Sequence, residues 1–296
     1  MRIFFTIIQT CIFPLFLGLI CCCLVLSSCY NEAPFYKKNF SEKEKAQLPD
    51  HMTNNLLGKY YQGSISEIIV LKEALSYQPE NAMLWRELGV PYGKRGIAAK
   101  YSELYSKAVE YDPLNWQGWR GYMYLYFYRD YKRALKDFNE LDKLTPNFVD
   151  YPQSISIHFM RGICHMQLRE YELAHAYWDK HMKHELSIDS DERFIDSKTY
   201  LFKAVCYYKE DNFTASKVWI ERGLKYHAAN SDLHYWSAKI NYKLKDYKAA
   251  EKSIQLAKKY YELGNFNDRP YVEEFYQTYS IDISDFQSFL HRERPR

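Results

Sequence analysis

The chain has 296 residues, a formal net charge of +3, 47% hydrophobic residues and 26% charged residues. That composition supports a sizeable core and excludes a disordered chain. The small charge, with no basic stripe, excludes a commitment to nucleic acid. Eleven glycines and ten prolines are too few for a turn-rich all-β design, while 29 tyrosines dominate an aromatic fraction of 18%. Five of the seven cysteines (Cys11, Cys21, Cys22, Cys23 and Cys29) fall within the first 30 residues, so they do not form the disulfide framework of a small secreted domain.

Residues 3–26 form an apolar stretch behind Met1 and Arg2, followed by Leu26-Ser27-Ser28-Cys29 and then a polar run. A charged start, an apolar middle and small residues before a cut site describe a secretory signal. The Leu-Ser-Ser-Cys sequence resembles a bacterial lipobox. The resemblance implies cleavage before Cys29 and acylation of its thiol, leaving residues 1–28 as a signal peptide. The alternative is an uncleaved helix, since about 20 apolar residues span a bilayer. Both readings tie the chain to a membrane. Tyr30 is not the aspartate that favours inner-membrane retention in enterobacteria, which points to the outer membrane. Residues 29–49 are read as a polar tether with a reach of about 25 Å.

From about residue 50 the sequence repeats. Trp85, Leu88, Gly89 and Tyr92 are followed by Tyr101, Tyr105, Ala108 and Pro113. Pro79, Pro113 and Pro146 recur at spacings of 34 and 33. An aromatic three residues before a small residue recurs at Tyr131 and Ala134, Tyr171 and Ala174, Phe213 and Ser216, and Tyr247 and Ala250. Small residues at these places let two helices approach, and large residues fill the space around them. This pattern resembles the tetratricopeptide repeat (TPR). The resemblance implies an all-α fold: a right-handed solenoid of about six helix pairs over 50–264, closed by a capping segment over 265–296. The pairs are expected near 50–81, 82–115, 116–148, 154–188, 196–230 and 231–264. Pro91 should kink its helix or end it early. The stretches 147–153 and 183–195 read as insertions.

In this family the first helix of each pair lines a groove that receives a partner. Positions 2, 5, 9, 12 and 13 of the units, carried onto this chain, place Arg86, Val90, Lys94, Arg120, Tyr124 and Phe127 there. Further along they place Phe159, Ile163, Met166, Leu201, Val205, Tyr208, Tyr235, Lys239 and Tyr242. The competing reading puts these aromatics in the core between repeats. A groove of this kind suits a peptide or helix with apolar anchors and an acidic group.

No catalytic pattern appears, and the chain is read as a non-enzyme without metal or cofactor. His175, His181 and His184 lie close in sequence but lack the three or four convergent ligands of a metal site. Cys164 and Cys206 are expected as buried core thiols. The sequence reading is therefore a membrane-anchored scaffold for a protein or peptide in cell-envelope assembly, secretion or maintenance. The alternative is a glycan-binding envelope lipoprotein using exposed aromatics.

Overall fold

The computed structural model describes residues 60–293 together with Ser41, Lys43 and Gln47. Cys29, the apolar stretch 3–26 and most of the polar tether lie outside the described residues. The chain divides into two units, 1–80 and 81–296.

The first unit contributes α1 (Ile65–Tyr77), with Ser64 as its N-cap. It corresponds to the second helix of the degenerate pair expected at 50–81. The second unit holds five complete pairs: α2 (Ala82–Lys94) with α3 (Ala98–Tyr111), α4 (Pro113–Tyr126) with α5 (Tyr131–Leu144), α6 (Ile157–Gln167) with α7 (Tyr171–Ile188), α8 (Ser197–Lys209) with α9 (Phe213–Tyr226), and α10 (Ser231–Lys243) with α11 (Tyr247–Glu262). A last helix, α12, spans Ser280–Arg292. Every regular element among the described residues is helical, as the repeat spacing predicts.

Short polar residues start these helices. The side chains of Asn81, Asp112, Asp130, Ser156, Asp196, Asn212, Asn230 and Asp246 each accept a backbone N–H of the first turn. Each such cap is worth about 1 kcal/mol. Within each pair, the turn passes through one left-handed residue: Gly96, Arg129, Arg169, Asp211 or Lys245, with φ between 52° and 72°. Only one of the five is glycine. The other four accept a conformation that costs a side-chain-bearing residue about 1 kcal/mol.

Close approach of paired helices sets the core. A Cβ on Gly121 would sit 3.0 Å from Phe138 Cδ1, and one on Gly162 would sit 2.6 Å from Trp178 Cδ1. Phe138 and Trp178 are fully buried. Cys164 and Cys206 are free, buried thiols.

Two local expectations change. Pro91 does not shorten its helix: α2 runs 13 residues through it to Lys94. Pro91 gives up its own N–H bond to the carbonyl four residues back, but only Tyr92, Gly93 and Lys94 of the helix lie beyond it. The second insertion is shorter than expected, because α7 continues to Ile188 before a single 3-10 turn at Glu192–Phe194.

Candidate functional site

The first helices α4, α6, α8 and α10 present the face on which the groove was expected. That face is covered by the chain itself. Between α11 and α12 the backbone leaves α10, crosses to α4 and returns.

Asp232, in the first turn of α10, holds both ends of this excursion. Its carboxylate accepts the N–H of Asn267 at 2.6 Å and the N–H of Thr278 at 2.9 Å. Asp232 is fully buried. Burial pushes its carboxyl pKa upward, and the two backbone N–H groups oppose that shift. At the far end, Arg269 donates to the Tyr122 hydroxyl at 3.1 Å and lies 3.8 Å from the Tyr126 ring centroid. Its other partner is the buried Glu274, at 3.0 Å. Arg129 donates to the Glu273 carbonyl at 2.6 Å and stacks over Phe275. Phe275 is 7% exposed and packs against Tyr126 and Tyr131. The Tyr276 hydroxyl accepts from Gln167 at 2.8 Å, and its ring meets Phe202 and Trp236 edge-on. Burying an aromatic such as Phe275 contributes about 2 kcal/mol.

The predicted groove residues do not form one open surface. Phe159, Ile163, Met166, Leu201 and Val205 are buried in one core cluster that also contains Phe275. Tyr235 and Tyr242 lie under α12, against Phe286 and Phe289. Lys239 sits among Trp236, Tyr235 and Tyr208, with its nitrogen 4.3 Å from the Trp236 ring, and burial lowers its pKa. At the first pair, Arg86 lies over Trp116 and Trp119 at 5.4 and 5.1 Å, and the exposed Lys94 lies over Tyr271.

Arg120, Tyr124 and Phe127 require a correction. The small residue at the helix crossing fixes the register, and in α4 that residue is Gly121, not a position counted from Trp119. Counted from Gly121 as Arg86 and Lys94 count from Gly89, the face positions of α4 are Gly118, Tyr122 and Tyr126. Arg120 instead turns toward the paired helices, where it is bidentate to Asp137 at 2.7 and 2.8 Å and donates to Ser106. Tyr124 shares a hydrogen bond of 2.7 Å with Ser102. Phe127 caps α4 beside Tyr122. Asp232, Gln167 and Lys209 were missed as face residues. They occupy positions 2 and 13 of their units, which the family pattern could have flagged.

Two other groupings carry polar chemistry. His175, Cys206 and Glu210 place one donor atom each within 4.8 Å of one another. The imidazole already hydrogen-bonds Glu210 at 2.8 Å and stacks on Tyr207. The set offers three donors where a closed structural site uses four. His181 and His184 take no part in it. The second grouping is a cleft of about 150 Å³ beside the loop at 150–156, lined among others by Phe159, His181, Thr199 and Arg269.

Comparison with known proteins bears on the fold. No protein-family model matches the chain, and no curated protein matches it. Solved structures do match. Pseudomonas aeruginosa PilF is 17% identical with a TM-score of 0.54, over 83% of this chain and 99% of that one. PilW, a widely conserved type IV pilus biogenesis factor, is 16% identical with a TM-score of 0.52, over 76% of this chain and 96% of its own. BtubC from P. vanneervenii is 15% identical with a TM-score of 0.54, over 77% and 93%. At these identities the likeness establishes the shared helix-pair fold.

Proposed function

We propose that this chain is a protein-interaction scaffold held at a bacterial membrane through an acylated Cys29. One observation carries the reading. The first-helix face of the array already holds an irregular polypeptide, residues 265–279, through backbone N–H groups, aromatic pockets and an arginine stack. A surface that holds its own chain in this way has the chemistry to hold another.

The covered stretch is not free for a partner. The partner therefore docks at the first pairs, where Arg86, Trp116 and Trp119 form a half-buried cation–aromatic platform. Tryptophan and arginine are the residues that most often dominate binding energy at interfaces. An envelope role, at the outer membrane, is supported by the lipobox-like Leu-Ser-Ser-Cys and by the fold shared with a pilus biogenesis factor.

The test is a cross-linked pull-down of the full chain from membranes. A protein partner should be recovered with the wild type and lost with Trp119→Ala. Recovery of no protein would overturn the scaffold reading. Cys29→Ala should release the chain from the lipid fraction, and persistent membrane attachment would favour an uncleaved N-terminal helix.

A further inference from the structure

The donors of His175, Cys206 and Glu210 come from two successive helix pairs. Cys206 lies in α8 and Glu210 is the C-cap of that helix, so the two stand one turn apart on a shared face. His175, in the second turn of α7, meets them from the preceding pair, with Nε2 2.8 Å from Glu210 Oε2. One donor atom from each residue lies within 4.8 Å of the other two. The imidazole is stacked on the Tyr207 ring with centroids 3.9 Å apart, which holds its edge toward the carboxylate. Around a tetrahedral zinc ion the same three donors stand about 3.3–3.7 Å apart. Reaching that spacing takes shifts of about 1 Å, within the freedom of the Glu210 side chain at the surface.

The donor types describe the ion. A thiolate and a carboxylate beside a neutral imidazole carry two negative charges, which one divalent cation cancels. Sulfur and nitrogen donors suit zinc, whereas magnesium and calcium take oxygen. Three protein ligands leave the fourth tetrahedral position to water, the arrangement of an open zinc site. The His175 and Glu210 side chains are 12% and 27% exposed, so an ion can enter from solvent, and the buried Cys206 closes the inner side. Burial pushes the Cys206 thiol pKa up to about 12. Zinc therefore displaces the thiol proton, which leaves to water as the Zn–S bond forms. The two nearby lysines are engaged elsewhere: Lys203 pairs with Asp179 at 2.5 Å, and Lys209 lies over the Tyr276 ring. The C-terminal end of α8, where Glu210 stands, also favours a cation through the helix dipole.

We infer that His175, Cys206 and Glu210 bind one zinc ion, with water as its fourth ligand. The ion ties α7 to α8 and braces the joint between two pairs, and it is at such neighbour interfaces that a solenoid gains stability. The inference goes beyond the scaffold reading and does not rest on it, because the platform at Arg86, Trp116 and Trp119 is formed by other residues.

The test uses the purified full chain in detergent, stripped of metal with a chelator, with Co²⁺ as the spectroscopic probe and Zn²⁺ as its competitor. Co²⁺ should give a thiolate-to-metal charge-transfer band and the visible bands of a four-coordinate ion, and Zn²⁺ should remove both. Subtracting the spectrum of Cys206→Ala, which keeps every other cysteine, isolates the band due to Cys206. Glu210→Gln, at the surface, should weaken Zn²⁺ at least about tenfold with a nearly unchanged urea midpoint in the absence of metal. Added Zn²⁺ should raise the wild-type midpoint and raise that of Glu210→Gln less. No band due to Cys206, equal Zn²⁺ affinity in the wild type and Glu210→Gln, or an X-ray absorption spectrum of the zinc-loaded chain without a sulfur ligand would overturn the inference.

Discussion

Replacing Asp232 by alanine removes a side chain that grips both ends of the 265–279 segment. Two backbone N–H groups, at Asn267 and Thr278, lose their acceptor. The Thr278 N–H is buried and the Asn267 N–H partly so, and leaving such a group unsatisfied costs about 1–3 kcal/mol. Asp232 also lies in the first turn of α10, where a carboxylate gains a few tenths of a kcal/mol from the helix dipole. Relief of the buried carboxylate's desolvation offsets part of the loss, leaving a net cost of about 3 kcal/mol. If the segment opens as a local unit, amide exchange at residues 267–278 should speed up roughly 100-fold. The α3 amides should change much less, because the contacts of the segment fall on other helices and solenoid repeats couple mainly to their neighbours. Hydrogen exchange read by mass spectrometry measures this directly. Unchanged protection at 267–278 in the variant would refute the idea that Asp232 pins the segment.

Four further outcomes follow from other contacts in the array. Gly162→Ala forces a Cβ to within 2.6 Å of the fully buried Trp178 ring and should cost about 1–3 kcal/mol in urea unfolding. Gly89→Ala, whose Cβ would lie 3.4 Å from Tyr105, should be close to neutral, since alanine's helix propensity offsets the tighter contact. Burial pushes the pKa values of His158, His181 and His234 down, that of His181 to about 4. Between about pH 4 and the unfolded value near 6.5 the unfolded chain therefore binds more protons. Stability is then full above about pH 6.5 and falls as pH drops through that window. His181 contributes at most about 3 kcal/mol across it. The urea midpoint should fall from pH 7 to pH 5 in the wild type and fall less in His181→Phe, and equal slopes would contradict this. Arg269→Ala loses the Tyr126 stack and leaves Glu274 buried beside Lys198 alone, so it should destabilise by about 3 kcal/mol in urea unfolding.

The helix pairs were legible because packing writes them into local spacing. A small residue must stand where two helices cross, and a large one must fill the space beside it, as with Ala134 and Phe138 or Ala174 and Trp178. The register of α4 was not legible from Trp119, because that tryptophan does not mark the crossing; Gly121 does. The segment over 265–279 left no trace in the sequence pattern. Its backbone is irregular and has no period. Its partners lie far away in the chain, as Arg269 with Tyr122 and Gln167 with Tyr276 show. The competing reading of the predicted groove aromatics, as core, describes Phe159 well, which shares its buried cluster with the chain's own Phe275.

The most direct measurement places a photo-crosslinking amino acid at Tyr276 in one full-length variant and at Trp119 in another, both activated in intact membranes. The account predicts intrachain adducts alone from Tyr276, to Gln167, Phe202 or Trp236, and an adduct to a second protein from Trp119. A second protein captured at Tyr276, with none captured at Trp119, would contradict it.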